Sequence, residues 1–104
     1  MFLSGTESCH NFGECVVTQE LEIINKLGLH ARAAAKLVKL SSTFQSTIEI
    51  EKEGQKVNCK SIMGVMMLAA SCGSNVIISA SGDDEQDALD AVTELINNRF
   101  DEEE

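Results

Sequence analysis

The stretch NVIISASGDDEQDALDAVTELINN, residues 75–98, changes its hydrophobic period once and so spells a strand, a turn and a helix in succession. From Asn75 to Ser81, Val76, Ile78 and Ala80 alternate with Ile77 and Ser79, the pattern of a strand with one buried face. Gly82 turns the chain, and Asp83 with Gln86 three positions later has the form of a capping box. Ala88, Leu89, Val92, Leu95 and Ile96 then recur at helical spacing to about Asn98. Acids crowd the first turn of this helix, where its dipole favours them. A half-buried strand followed by an amphipathic helix predicts a sheet covered by helices on one side.

The same logic works outward. Val17, Leu21 and Ile23 alternate with Thr18, Glu20 and Glu22, a first strand that Asn25-Lys26-Leu27-Gly28 breaks. Ala31, Ala34, Ala35, Leu37, Val38 and Ser41 recur at helical spacing with Lys36 and Lys39 outside, predicting a helix to about Ser42. Ile48 and Ile50 point inward against Thr47, Glu49 and Glu51, the hairpin signal Glu53-Gly54-Gln55 follows, and Lys56-Val57-Asn58-Cys59 returns. Ser61 offers an N-cap to a helix from Ile62 to about Ala70, which Cys72-Gly73-Ser74 ends, Gly73 suiting a left-handed cap. The order is β-α-β-β-α-β-α. It predicts an α+β fold, one antiparallel sheet with helices packed on one face.

A chain of 104 residues accommodates one such domain. Its 43% hydrophobic and 24% charged residues, with a mean hydropathy of -0.03, exclude a disordered or membrane-resident chain. No apolar run approaches the roughly 18 residues a span needs. The opening Met1–Glu7 lacks a basic region followed by an apolar one, so no secretory signal is expected and the cytoplasm is the default. Residues 1–15 lack periodicity and read as an extension. Within it Cys9, His10 and Cys15 carry ligand atoms, but their spacing fits no zinc pattern, and no metal is expected. Free thiols are expected in this compartment, with Cys59 and Cys72 acting as small hydrophobes.

The net charge of -9 argues against a duplex reader, but it is unevenly placed. Residues 83–104 hold ten acids and one base, which accounts for all of it. Residues 26–60 hold seven bases and three acids, so an anion can bind the middle of the chain. An RNA-binding plait would share the β-α-β-β-α-β order. It needs aromatic side chains on central strands, and Phe2, Phe12, Phe44 and Phe100 all lie elsewhere.

Two segments carry chemistry. In Gly28-Leu29-His30-Ala31-Arg32 a histidine stands where a loop enters a helix, beside free N–H groups and a guanidinium. A neutral imidazole there can accept a phosphoryl group; a plain helix cap or space filler is the other reading. In Lys60-Ser61-Ile62-Met63-Gly64 the serine caps a helix whose apolar residues, Ile62, Met63, Val65, Met66, Met67 and Leu68, wrap most of its circumference. A short helix cannot bury all of them against one sheet, and exposed methionines suit partner docking. Complete burial in a small domain is the alternative.

These segments resemble the HPr family, the histidine-phosphorylated carriers of the bacterial phosphotransferase system. Asn25-Lys-Leu-Gly-Leu-His-Ala-Arg-Ala-Ala34 is similar to its active-site signature, Val57-Asn-Cys-Lys-Ser-Ile-Met-Gly-Val-Met66 to its regulatory-serine region, and Ile78–Glu85 with the following helix to its C-terminal part. The similarity runs from about Val16 to Phe100, leaving residues 1–15 and an acidic tail, 101–104, outside it. The resemblance implies an open-faced β-sandwich and a monomer that needs no cofactor. It implies that enzyme I phosphorylates Nδ1 of His30, which passes the group to a histidine of an enzyme IIA. Arg32 would stabilise the charge, with the amides of Ala31 and Arg32 as donors. Ile62, Met63, Met66 and Lys39 would form the docking surface. Ser61 matches the serine that HPr kinase/phosphorylase modifies in part of the family, and a regulatory paralogue acting by binding alone is the rival function. The family usually has proline after the arginine; Ala33 stands there. The wording around His30 and the acidic tail lean toward the nitrogen-related branch, and Lys60–Met63 toward the sugar-related one.

Overall fold

The computed structural model describes residues 16–101. Its elements are β1 (Val17–Glu22), α1 (Ala31–Ser41), β2 (Thr47–Lys52), β3 (Gln55–Asn58), α2 (Ile62–Leu68), β4 (Asn75–Ser81) and α3 (Glu85–Asn97), closed by a 3-10 turn over Arg99–Asp101. The four strands form one sheet in the order β1-β4-β2-β3, every pair antiparallel. The register stacks Val17 against Ala80, and Ile48 and Ile50 against Ala80 and Ile78, so one face of the sheet is a continuous apolar floor. Its inward residues Ile48, Ile50, Val76 and Ile78 are fully buried.

All three helices cover that floor. α3 packs on β1, β4 and β2, α2 on β3 and β2, and α1 against both of the other helices. The expected α+β open-faced sandwich is the architecture observed. The other face of the sheet carries Thr18, Glu20 and Glu22 beside Ile77 and Ser79, and no helix covers it among the described residues. None of the helices is long and apolar enough to cross a membrane, among the described residues.

Several local expectations need correction. On α1 the buried residues are Ala33, Ala34, Leu37 and Ser41, whereas Ala31 and Ala35 are exposed. Alanine is small enough for either face, so its spacing does not orient a helix this rich in it. Lys36 is not simply outside. Its ammonium donates to the Phe100 carbonyl at 2.8 Å. The β2–β3 turn places both Glu53 (φ +51°) and Gly54 (φ +85°) in the left-handed region, as a two-residue hairpin turn demands. Gln55 therefore already belongs to β3, and Cys59 lies just past its end.

The second helix stops at Leu68 because Ala69 adopts the left-handed cap (φ +55°), its N–H bonded to the Met66 carbonyl. Gly73 serves the following turn, donating to the Ile23 carbonyl at 2.7 Å. The capping box at Asp83 and Gln86 is absent, since α3 starts at Glu85. Glu85 Oε1 accepts from the Gly82 N–H at 3.0 Å, and Gln86 reaches Asp90 instead. Asp84, the N-cap residue, turns its carboxylate away from its own helix. It accepts from the Gln45 and Ser46 N–H groups, both at 2.9 Å, and from the Ser46 hydroxyl. That hydroxyl, then the Gln45 N–H, hold its carboxyl below the ordinary carboxylate range. The bonds pin the start of α3 to the entry of β2.

Phe100, which the sequence places beside an acidic tail, is fully buried. Successive left-handed residues, Arg99, Phe100 and Asp101, fold the chain back so that the ring reaches the core. Burial of such a ring contributes about 2–3 kcal/mol, and the Lys36 ammonium holds the carbonyl in place. Of the thiols, Cys59 is buried as expected, and burial pushes it up to about 12. It is a protonated, unreactive core residue at neutral pH. Cys72 is exposed in the turn after α2, contrary to the apolar role its neighbours suggest.

Candidate functional site

The site begins where β1 ends. Ile23 stays paired after the strand, donating to Ser74 at 2.9 Å, and the next residues form a tight turn. The Gly28 N–H donates to the Asn25 carbonyl at 3.1 Å, and the buried Asn25 carboxamide donates back to the Gly28 carbonyl at 2.8 Å. Leu29 then donates to the Ala70 carbonyl at 2.8 Å, fastening the loop to the segment that leaves α2. At Gly28 (φ +68°) a Cβ would lie 2.6 Å from that same carbonyl oxygen, so no side chain fits.

His30 is the residue this loop delivers. It is the N-cap of α1, extended at φ -78°, ψ -178°, and its side chain makes no capping bond. Its carbonyl accepts the first helical bond, from Ala34 at 2.8 Å. The N–H groups of Ala31, Arg32 and Ala33 therefore have no acceptor within the helix. The half-buried imidazole stands at the positive end of a helix dipole with those donors beside it.

The charges around it run against the usual rule. The first turn of α3 carries Glu85 and Asp87, as helix dipoles favour. The first turn of α1 carries no acid and contains Arg32, exposed to solvent. A cation at a helix N-terminus is unfavourable unless an anion joins it. Such a local conflict is what a functional site imposes on a fold.

Of the other predicted residues, Ser61 is the exposed N-cap of α2, its Oγ accepting from the Gly64 N–H at 3.2 Å. Beyond it α2 exposes Ile62, Met63 and Met66, and also Met67, which is 69% accessible. Met67 is one helical turn from Met63, so projecting the helix would have found it. Leu27 is 67% exposed in the His30 loop and carried no sequence signal. Because Gly28 abuts Ala70, this loop and α2 are neighbours, and α1 packs on α2.

Lys39 lies on the α3 side of α1. It lines a shallow groove of about 340 Å³ with Lys36, Leu40, Leu95 and Asp101, and no residue of α2 takes part. Lys60 is spent on the Phe44 carbonyl at 2.9 Å, and Lys36 on Phe100. The basic middle of the chain thus leaves Arg32 as the cation in the first turn after His30. Cys9, His10 and Cys15 lie outside the described residues. Among the described residues no group of three or more metal-ligating side chains comes together.

A model of the family described as the PTS HPr component phosphorylation site matches residues 17–98. The chain belongs to the HPr family. The phosphocarrier protein HPr of Cupriavidus necator is 53% identical over 87 residues, covering 84% of this chain and 98% of the relative. Among solved structures, HPr from Thermoanaerobacter tengcongensis superposes with a TM-score of 0.81 at 50% identity, covering 84% of this chain and 98% of that one. HPr from Bacillus anthracis follows at a TM-score of 0.76 and 41% identity, covering 78% and 96%.

Within this HPr fold the departure at Ala33 is tolerable. Ala33 is fully buried in the first turn of α1, where its N–H has no helical acceptor, so proline would remove no helix bond. An Ala33→Pro variant is expected to accept phosphate from enzyme I, with its Tm moved by a few degrees. Complete loss of transfer in a folded variant would put the start of the helix elsewhere.

Proposed function

We propose that the chain carries a phosphoryl group on Nδ1 of His30, taking it from phosphohistidine on enzyme I and giving it to a histidine of an enzyme IIA. The P–N bond to the donor breaks as the imidazole lone pair forms the new one, and the second transfer reverses the roles. The observation that carries this reading is the acid-free first turn of α1 with His30 at its cap. There the N–H groups of Ala31 and Arg32 and the Arg32 guanidinium can face the three phosphoryl oxygens. Transfer of this kind depends on positioning and electrostatics, and so sparse a site suffices.

The docking surface in this reading is Ile62, Met63 and Met66 on α2, joined by Met67 and Leu27; Lys39, on the α3 side of α1, contributes only longer-range charge. Ser61 supplies a second control. It is exposed at the edge of the apolar patch, and a phosphate there adds about -1.5 to -2 charges that would repel an acidic partner. The kinase-controlled, binding-only paralogue rests on that same placement. The proposed setting is a cytoplasmic monomer whose domain spans 16–100, with residues 1–15 and 101–104 as appendages.

Incubation with enzyme I and labelled phosphoenolpyruvate tests the reading. The chain is expected to take up label and to lose it when an enzyme IIA is added. Absence of label in the presence of an enzyme I proven active would favour the binding-only regulatory paralogue. Parallel assays with sugar-type and nitrogen-type enzyme I decide the branch by the faster donor.

A further inference from the structure

Asn25 lies five residues before His30 and is fully buried, an unusual place for a carboxamide at the end of an edge strand. Its Nδ2 donates to the Gly28 carbonyl at 2.8 Å. That carbonyl also accepts the His30 N–H at 2.9 Å. One oxygen therefore receives two donors, one from the buried Asn25 and one from the residue that carries the imidazole. The Gly28 N–H closes the turn on the Asn25 carbonyl, and Leu29 is tied to Ala70.

The consequences are electrostatic as well as geometric. The Gly28 carbonyl dipole has its negative end turned onto the Asn25 carboxamide and the His30 N–H. It is kept from competing with an anion for the Arg32 guanidinium and the first-turn amides. The His30 N–H is used internally, so the donors left for a phosphoryl group are those that follow it. Burial strengthens the Asn25 bond, because no water can replace it cheaply.

We propose that Asn25 is a positioning residue for phosphoryl transfer, its carboxamide fixing the Gly28 carbonyl so that His30 is presented in line with the donor phosphohistidine. The inference rests on the phosphocarrier reading of His30. Because Asn25 is fully buried and bonds the Gly28 carbonyl, making no surface of its own for a partner, its loss is expected in the chemical step more than in docking.

The test compares wild type, Asn25→Ala and Asn25→Asp in phosphorylation by enzyme I, with folded fraction followed by circular dichroism. Asn25→Ala is expected to lower kcat by about tenfold or more while KM stays within about twofold, the signature of lost orientation. Asn25→Asp places a carboxylate against the carbonyl and should be slower still at neutral pH. Its rate relative to Asn25→Ala should recover as pH falls, because a protonated carboxyl can again donate to Gly28. If either variant is partly unfolded, the rates are taken in sucrose, which favours the compact state, and are scaled to the folded fraction. A folded Asn25→Ala with wild-type kcat would overturn the inference. So would a loss of rate that matches the loss of folded protein, which would make Asn25 structural only. Wild type that takes no label from an active enzyme I would refute the carrier reading itself, a separate outcome.

Discussion

Gly28→Ala is expected to destabilise the domain by roughly 2–5 kcal/mol, a large part of what a chain of this size has to lose. A left-handed alanine costs about 1–2 kcal/mol. The remainder comes from the added Cβ, which would stand 2.6 Å from the Ala70 oxygen and 2.8 Å from the Ser71 Cα. Both neighbours are backbone atoms, which cannot rotate aside as a side-chain tip can, and forced repacking of this kind costs about 1–3 kcal/mol. Gly54→Ala is the control, since Gly54 is also left-handed (φ +85°) but has nothing within 4 Å of the added atom. Thermal unfolding should lower the Tm of Gly28→Ala by on the order of 15 °C and that of Gly54→Ala by about 5 °C. Equal shifts in the two variants would show that the loop does not pack on Ala70 as described. The clash also opposes the Leu29–Ala70 bond, so folded Gly28→Ala should transfer phosphate slowly.

Met63→Glu is expected to raise the KM for enzyme I by about ten- to thirtyfold, as the loss of a central docking residue does. Met63 is 68% exposed, so the substitution leaves the core untouched and stability should move by less than about 0.5 kcal/mol. The new carboxylate also stands next to Ile62 and near Ser61, imitating there the charge a phosphoserine would bring. With His30 and its loop unaltered, kcat at saturation should remain that of wild type. An unchanged KM would remove α2 from the docking surface, and a lowered kcat with unchanged KM would mean that α2 serves the chemistry.

The two effects divide along the structure. One arises in the loop that aims His30, the other in the helix that receives a partner. The contact between Gly28 and Ala70 is the joint between them.

How much of this could be read beforehand depended on whether a feature is local. Strand β4 and helix α3 were plain because Val76, Ile78, Ala80 and then Leu89, Val92 and Ile96 each repeat a single period on one face. Ser61 was plain because an N-cap needs only the next three residues. The start of α3 was misplaced by one residue because two aspartates stand side by side. Only the contact with Gln45 and Ser46, from a loop distant in sequence, distinguishes Asp84 from Asp83. Phe100 was placed at the end of the domain beside the acidic tail, but its burial requires three left-handed residues that no composition announces.

At the site, His30 and Arg32 were legible as a motif, since a histidine where a loop enters a helix, with a guanidinium two residues on, is visible in sequence order. The clamp from Asn25 was not, because it exists only once the turn has closed. Lys36 and Lys60 seemed available to an anion, yet both ammonium groups serve backbone carbonyls across the fold. Counting bases along the chain locates a positive region, but tertiary contacts decide which of its charges remain for chemistry.

The central claim is that one imidazole, His30, carries the phosphoryl group, and the chain has a second histidine, His10, against which to test it. The decisive measurement is phosphorylation by enzyme I and phosphoenolpyruvate of the 15N-labelled chain, followed by imidazole NMR. Wild type and His10→Ala should each show a single phosphohistidine on Nδ1, acid-labile and base-stable, and His30→Ala should show none. Phosphate on His10, on a hydroxyl group, or on no residue in the presence of a proven enzyme I would contradict the account.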